Sequence, residues 1–368
     1  MSDHTRLTAE GLAAAGDKVF VWSPAAGGQS PTPAEGVFVR REFGDFRSAD
    51  LWRVGRALNK FATRRRLLVQ WVPHGYGFRS MNIWFCFWLW ARAFVHGDEV
   101  TLIVHEPFLA FGEGSWKQDV VAVVQRLMTI VLLSSASRVW TTIPTWQKRW
   151  RPYALGRRVP FGWLPVSSTA PVVINPREEA AIRARHSRTG LPLIGHFGTY
   201  GKHVAEMLRD FLPRLLTFDA PACTVLLMGH GSEIMCEELL RLYPRMEGHL
   251  SATGVLTPDS LSYHLAACDL LVQPYPDGVS TRRTSVMAGL AHGLPVVTTK
   301  GILTERLWEE SGAVVLVTAE DISAMVLAVH ELLRDVSRRK DLALKARQTY
   351  MQYFDLQHLT ANLRRPLA

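Results

Sequence analysis

The stretch Gln273–Thr299, QPYPDGVSTRRTSVMAGLAHGLPVVTT, decides how the chain is read. It leaves an apolar run at Leu270-Leu271-Val272-Gln273 and breaks at Pro274, Pro276 and Gly278. Hydroxyls and two arginines follow, then a helical pattern of small residues. It ends at Gly293-Leu294-Pro295 and a second apolar run, Val296–Thr299. Strand, loop, helix and strand in so short a span is one βαβ step, and such steps build parallel sheets.

The same step repeats on both sides. Upstream, strand-like runs stand at 18–22, 66–72, 100–106 and 137–142, with helical patterns around 50–62, 80–96 and 118–135. A second series has strands at 191–198, 223–229, 249–256, 270–275, 294–299 and 313–317. Its helices fall near 203–217, 232–243, 258–267, 284–292 and 319–335. Two such series predict an α/β chain of two Rossmann-like, doubly wound domains, with ligands at a cleft facing the carboxyl ends of their strands. Expected boundaries are 1–168, 169–340 and a C-terminal helix over 341–368 that packs back on the first domain. Pro165, Ser167, Ser168, Pro171 and Pro176 mark a linker over 161–190.

Composition agrees. At 368 residues, 48% hydrophobic and 20% charged, the chain is globular and long enough for two cores. Cys86, Cys223, Cys236 and Cys268 lack paired spacing, so neither zinc nor a disulfide framework is expected, and a reducing compartment is. No basic segment followed by an apolar run opens the chain, which predicts a cytoplasmic protein without a secretory signal. Residues 1–175 hold 21 Lys/Arg against 12 Asp/Glu, whereas 176–368 hold 21 of each, so the net +9 belongs to the first half. Nucleic acid, an anionic membrane surface and an anionic substrate would each suit that charge, and a solvated face needs no partner at all. No recognised nucleic-acid module lies among the basic clusters, so nucleic acid is not expected.

The run Ile83–Val95 is interrupted by Arg92 and falls short of the roughly 20 apolar residues that span a bilayer. Trp84, Phe85, Phe87 and Trp88 are expected in a core, with a lipid interface as the alternative. Val120–Leu133 reads as a buried helix.

Three glycine-containing turns point at the expected cleft. In IGHFGTYGK, Gly198, Thr199 and Lys202 precede a helix, where N–H groups and the dipole suit a phosphate. Gly229 and Gly231 flank His230, and Val255-Leu256 would offer backbone groups to a base edge. In the opening stretch, Ser280, Thr281, Arg282, Arg283 and Ser285 gather at a helix start. Two arginines there oppose the helix dipole, which makes sense if an anion sits with them.

These turns, with ACDLLVQPYPDG and AGLAHGLPVVTT, resemble the donor-binding half of GT-B glycosyltransferases, family 4 type, over about 190–335. The resemblance implies transfer of a sugar from a nucleoside diphosphate donor to a glycan, lipid-linked or small-molecule acceptor, without metal or cofactor and with retention at the anomeric carbon. The family's paired glutamates fall on Ser280 and Ala288, and its diphosphate clamp has no match. The charge would come instead from Thr199, Lys202, Arg282 and Arg283, with Gly198, Ser280 and Thr281 beside them. Gly229, His230, Val255, Leu256 and Ser285 would hold the nucleoside. In the first half, His105 would contact the donor sugar and Glu106 serve as general base. Gly27, Gly28 and His74 would border the sugar and acceptor. A nucleotide-sugar-binding scaffold without transfer and a sugar-nucleotide epimerase are the alternatives.

Overall fold

The computed structural model describes residues 2–24, 32–61, 65–112, 114–187, 190–216 and 223–365. The chain forms two compact units, one of Met1–Pro165 with Leu356–Ala368, the other of Val166–Asp355.

The first unit runs α1 (Ser2–Ala14), β1 (Val19–Pro24), β2 (Val37–Phe43), α2 (Ser48–Leu58), β3 (Arg66–Trp71), α3 (Ile83–Phe94), β4 (Glu99–Val104), α4 (Trp116–Ser135), β5 (Ala136–Thr141), α5 (Pro144–Trp150) and β6 (Phe161–Trp163). Strands β3 to β6 make a parallel sheet in sequence order, while β1 and β2 form a separate parallel pair. The run expected as a strand at 18–22 does form β1, but it pairs with β2 apart from the four-stranded sheet.

Asn82 starts α3. Its side chain accepts from the Phe85 N–H (3.0 Å) and donates to the carbonyls of Phe46 and Tyr76. At the other end Arg92, 1% exposed, donates through Nε to Asp98 (2.5 Å) and through Nη1 to Asn59 (2.6 Å), and Arg65 reaches the second Asp98 oxygen. This arginine interrupts the apolar run because its charge is neutralised inside the fold.

The second unit contains α6 (Pro176–His186), β7 (Leu193–Phe197), α7 (Lys202–Leu216), β8 (Thr224–Met228), α8 (Ser232–Leu242), β9 (Leu250–Ala252), α9 (Pro258–Ala266), β10 (Leu270–Gln273), α10 (Thr284–Ala291), β11 (Val296–Lys300), α11 (Arg306–Ser311), β12 (Val315–Thr318), α12 (Ile322–Arg334) and α13 (Val336–Thr349). Its six parallel strands lie in the order β9-β8-β7-β10-β11-β12, so the winding reverses between β7 and β10. In doubly wound sheets ligands bind beside the carboxyl ends of the strands at that reversal.

Two expectations change here. The proline-rich span 161–190 is not a plain linker, since it carries β6 and, behind an Asn175 cap and Pro176, α6. The terminal helical stretch is broken by a wide turn at Tyr350–Phe354, after which α14 (Leu356–Arg364) joins the first unit and packs on α1.

Small residues in α10 answer to packing. A Cβ on Gly289 would lie 2.8 Å from Leu271 and 2.9 Å from Val296. The helix rides directly on the sheet, which fixes where its N-terminus points.

Candidate functional site

Two loops leave the sheet at the reversal, one from β7 and one from β10. The β7 loop, Gly198–Gly201, runs into α7. Its Gly198 N–H donates to the Met228 carbonyl (3.1 Å), and the Gly229 N–H donates to the Gly254 carbonyl (2.9 Å), so the first three strand ends are stitched together. A Cβ on Gly229 (φ +107°) would fall 2.2 Å from the Gly198 carbonyl oxygen, so only glycine lets these loops meet. Thr199 and Lys202 are exposed, and Lys202, the first residue of α7, makes no ion pair among the described residues. That leaves a positive charge and a helix N-terminus open to an anion. Gly195 serves packing rather than binding, since inside β7 it makes room for Leu271 and Cys268.

The β10 loop is more tightly built. Asp277 receives Arg282 Nη2 on one oxygen (3.1 Å) and Arg283 Nη2 on the other. The Arg283 guanidinium also lies 4.2 Å over the Tyr275 ring. The anion expected at this helix start is therefore supplied by the chain itself. Burial, and then the Arg282 charge, draw the Arg283 pKa down.

Thr281 is not available to a phosphate as the sequence suggested. Its N–H and hydroxyl both donate to Glu305, and its carbonyl accepts from the Val166 N–H. The other Glu305 oxygen accepts from Trp308 Nε1 (2.8 Å). Burial pushes this carboxyl's pKa up, against the pull of those hydrogen bonds. Ser285, expected at the nucleoside, instead pairs its hydroxyl with the Tyr275 hydroxyl (2.7 Å).

Buried in this segment, Ser280 Oγ, Arg283 Nε and Gln273 Nε2 have no hydrogen-bond partner among the described residues. Buried polar atoms are nearly always paired, and each exception asks for a reason. Such atoms gathered at a sheet reversal point to a ligand-binding loop. Ser280 itself is fully buried, so a ligand meets its hydroxyl only after the loop shifts. Ala288, the other position of the expected glutamate pair, is fully buried inside α10. Around the nucleoside turn, His230 and Val255 are exposed and Leu256 is half-buried.

In the first unit the His105-Glu106 pair is divided. His105 Nε2 lies 2.6 Å from Gln70 Oε1, and its ring meets the His4 ring edge-on at 4.8 Å. Glu106 faces His74 instead, at 3.6 Å, with both side chains exposed. Burial holds the His4 pKa down at about 4, so this imidazole is neutral in the fold. Gly27 and Gly28 lie outside the described residues.

Sequence reasoning missed Asp277, Tyr275, Glu305, Gln70 and His4. Asp277 sits in a Pro-Asp-Gly turn, and only its distance from the following arginines hints at the pairing. Nothing in the spacing connects His4 or Gln70 to His105.

Residues 190–335 match the family described as glycosyl transferases group 1. No curated protein sequence matches the chain. Among solved structures, Anabaena HepE in complex with UDP-glucose superposes with a TM-score of 0.70 at 15% identity, covering 98% of this chain and 94% of that one. Sucrose-phosphate synthase from Thermosynechococcus elongatus gives 0.69 at 15% identity, covering 98% and 90%. WaaG, a glycosyltransferase involved in lipopolysaccharide biosynthesis, gives 0.65 at 14% identity, covering 98% and 94%. At such identities the likeness is one of fold: two Rossmann-like units of the GT-B kind.

Proposed function

For a chain that carries a group 1 glycosyltransferase domain over residues 190–335, we propose transfer of a sugar from a nucleoside diphosphate donor to a glycan or lipid-linked acceptor presented at the cytoplasmic face of a membrane. One observation carries the donor side. The two loops at the sheet reversal hold an open helix N-terminus with Lys202 and a partly buried arginine pair, a setting built for phosphate oxygens. That HepE was crystallised with UDP-glucose supports a donor of this chemical class.

Lys202, Arg282 and the α7 N-terminus would stabilise charge on the diphosphate leaving group as the glycosidic bond breaks. Arg283 would turn from Asp277 to the same oxygens. Catalysis in this reading asks nothing of a metal and keeps the anomeric configuration. Glu106 is the base for the acceptor hydroxyl, with His74 beside it, and His105 contacts the sugar from a ring fixed by Gln70.

Calorimetry against UDP, GDP, ADP and TDP tests the donor side, followed by transfer of labelled sugar from the matching donor. Binding of one diphosphate with tenfold preference over its monophosphate is expected. Tight donor binding with neither transfer nor hydrolysis across glycan and lipid acceptors would make the chain a nucleotide-sugar-binding scaffold.

A further inference from the structure

The first unit turns an apolar face to solvent on two adjacent helices. Helices α3 and α4 are successive crossovers in a parallel sheet whose strands follow sequence order, so both lie on one side of it, and they pack against each other. On α3 the outward stripe is Trp84, Phe87, Trp90 and Phe94, between 40% and 66% exposed. On α4 it is Trp116, Val120, Val123 and Leu127, between 47% and 71% exposed. The spacings of three and four residues put each set on one side of its helix.

The expectation of a buried helix over Val120–Leu133 therefore holds for one side of α4 only. Its inner side (Met128, Leu132, Leu133) sits in the core, as do Phe85 and Leu89 of α3, while the outward residues stay outside that core and keep 40% or more of their surface exposed. By length and composition α4 would suffice to cross a bilayer. A helix with one side in a protein core instead lies flat, and flat is how apolar faces rich in Trp and Phe engage the boundary between headgroups and acyl chains.

Charge selects the occupant. No Asp or Glu lies between Asp119 and Pro165, a span holding Lys148 and six arginines. At the C-terminal end of α4, Arg157 donates to the Leu133 carbonyl (2.6 Å), and with Arg151 and Arg158 it lines a cavity of about 390 Å³. Lys117 and Arg126 stand by the N-terminal half of α4, over the rings of Trp116 and Phe111. A second copy docking by the same patch would set this charge against itself. A bilayer with anionic headgroups would meet it with opposite charge.

We propose that the outward face of α3 and α4 is the surface by which this protein lies on an anionic lipid bilayer. The proposal rests on the membrane-side reading of the acceptor given above, not on the donor chemistry.

The test is sedimentation of the full chain with vesicles of phosphatidylcholine alone, or with phosphatidylglycerol added at about a third, at low and high salt. Binding to the mixed vesicles, weakened at least tenfold without the anionic lipid and also weakened by salt, is the expected result. The pair Trp84→Ser with Trp116→Ser should lose at least tenfold, as should Val123→Gln with Leu127→Gln. Trp84 and Trp116 are largely exposed and Val123 and Leu127 about half exposed, so melting temperatures should change little. No binding by the wild type, or undiminished binding by both folded variants, overturns the proposal. So does a dimer broken by these variants in a protein that ignores vesicles. Nucleoside diphosphate affinity, measured alongside, reports separately on the donor reading.

Discussion

A single oxygen of the Glu305 carboxylate accepts from both the backbone N–H (3.0 Å) and the hydroxyl (2.6 Å) of Thr281. The segment that follows β11 thereby holds the loop that follows β10. Nearby, Gly278 crosses Gly301 so closely that a Cβ on Gly278 would stand 2.3 Å from the Gly301 nitrogen. The arginine-bearing loop is thus fixed by its neighbour in the sheet. Glu305→Gln sets an amide N–H against either Trp308 or Thr281 and should cost about 1–3 kcal/mol. Thermal melts should show it, together with a raised donor KM and a smaller change in kcat.

Asp277 and an incoming diphosphate compete for the same two guanidinium groups. Asp277→Asn removes the competing charge and should tighten nucleoside diphosphate binding severalfold. Arg283→Ala should weaken it by about 1.5–3 kcal/mol, roughly 10- to 150-fold. Calorimetry with the diphosphate and the free nucleoside checks both, since nucleoside affinity should hardly move. Weaker diphosphate binding by Asp277→Asn would mean that the carboxylate organises the arginines instead of occupying them.

Glu106→Gln keeps shape and hydrogen-bonding capacity but removes the base. It should lower turnover by about 10²–10⁴ with little change in donor affinity. Gln70→Leu should act differently, because it removes one partner of the His105 ring without touching the base. A loss concentrated in donor KM, measured by initial rates over a donor series, is the expected outcome.

His196 makes stability depend on pH. Burial holds its imidazole pKa at about 3 against an ordinary 6.5, so it is neutral in the fold and takes a proton only on unfolding. Its contribution is full above pH 6.5 and falls as the pH drops toward 3. The loss by pH 4 is about 3 kcal/mol, at roughly 1.4 kcal/mol per pKa unit. Urea midpoints of wild type and His196→Gln between pH 7 and 4 should converge toward the acid end.

The second unit was far more legible than the first. Strands β7, β8, β10 and β11 are apolar runs closed by glycine or proline, and the small residues of α10 announce a helix lying hard on a sheet. Helix α6 hid behind prolines that suggested a linker, although Asn175-Pro176 is a helix-start signal. The split of β1 and β2 from the main sheet has no local signature, because pairing partners are chosen in three dimensions. The site divides the same way. Lys202, Arg282 and Arg283 could be named from loop chemistry. Glu305 lies 24 positions from Thr281 and Gln70 lies 35 from His105, and those contacts exist only because neighbouring parallel strands end side by side. The outward stripes of α3 and α4 misled for the opposite reason: apolar periodicity marks a face that avoids water without saying what covers it.

Helix α14 carries one more consequence, for the order in which the chain becomes structured. Leu359 and Leu363 close a small core with Leu12, Ile103, Trp140 and Leu164, and Arg66 and Arg138 cap the helix by donating to the carbonyls of Leu363 and Arg365. The unit that begins before the other in sequence thus waits for a segment that follows the other. Until residue 363 emerges, the first unit has an open seam, while the second, contiguous in sequence, can finish within its own translation. A chain stopped after Asp355 should therefore damage the first unit and spare the second.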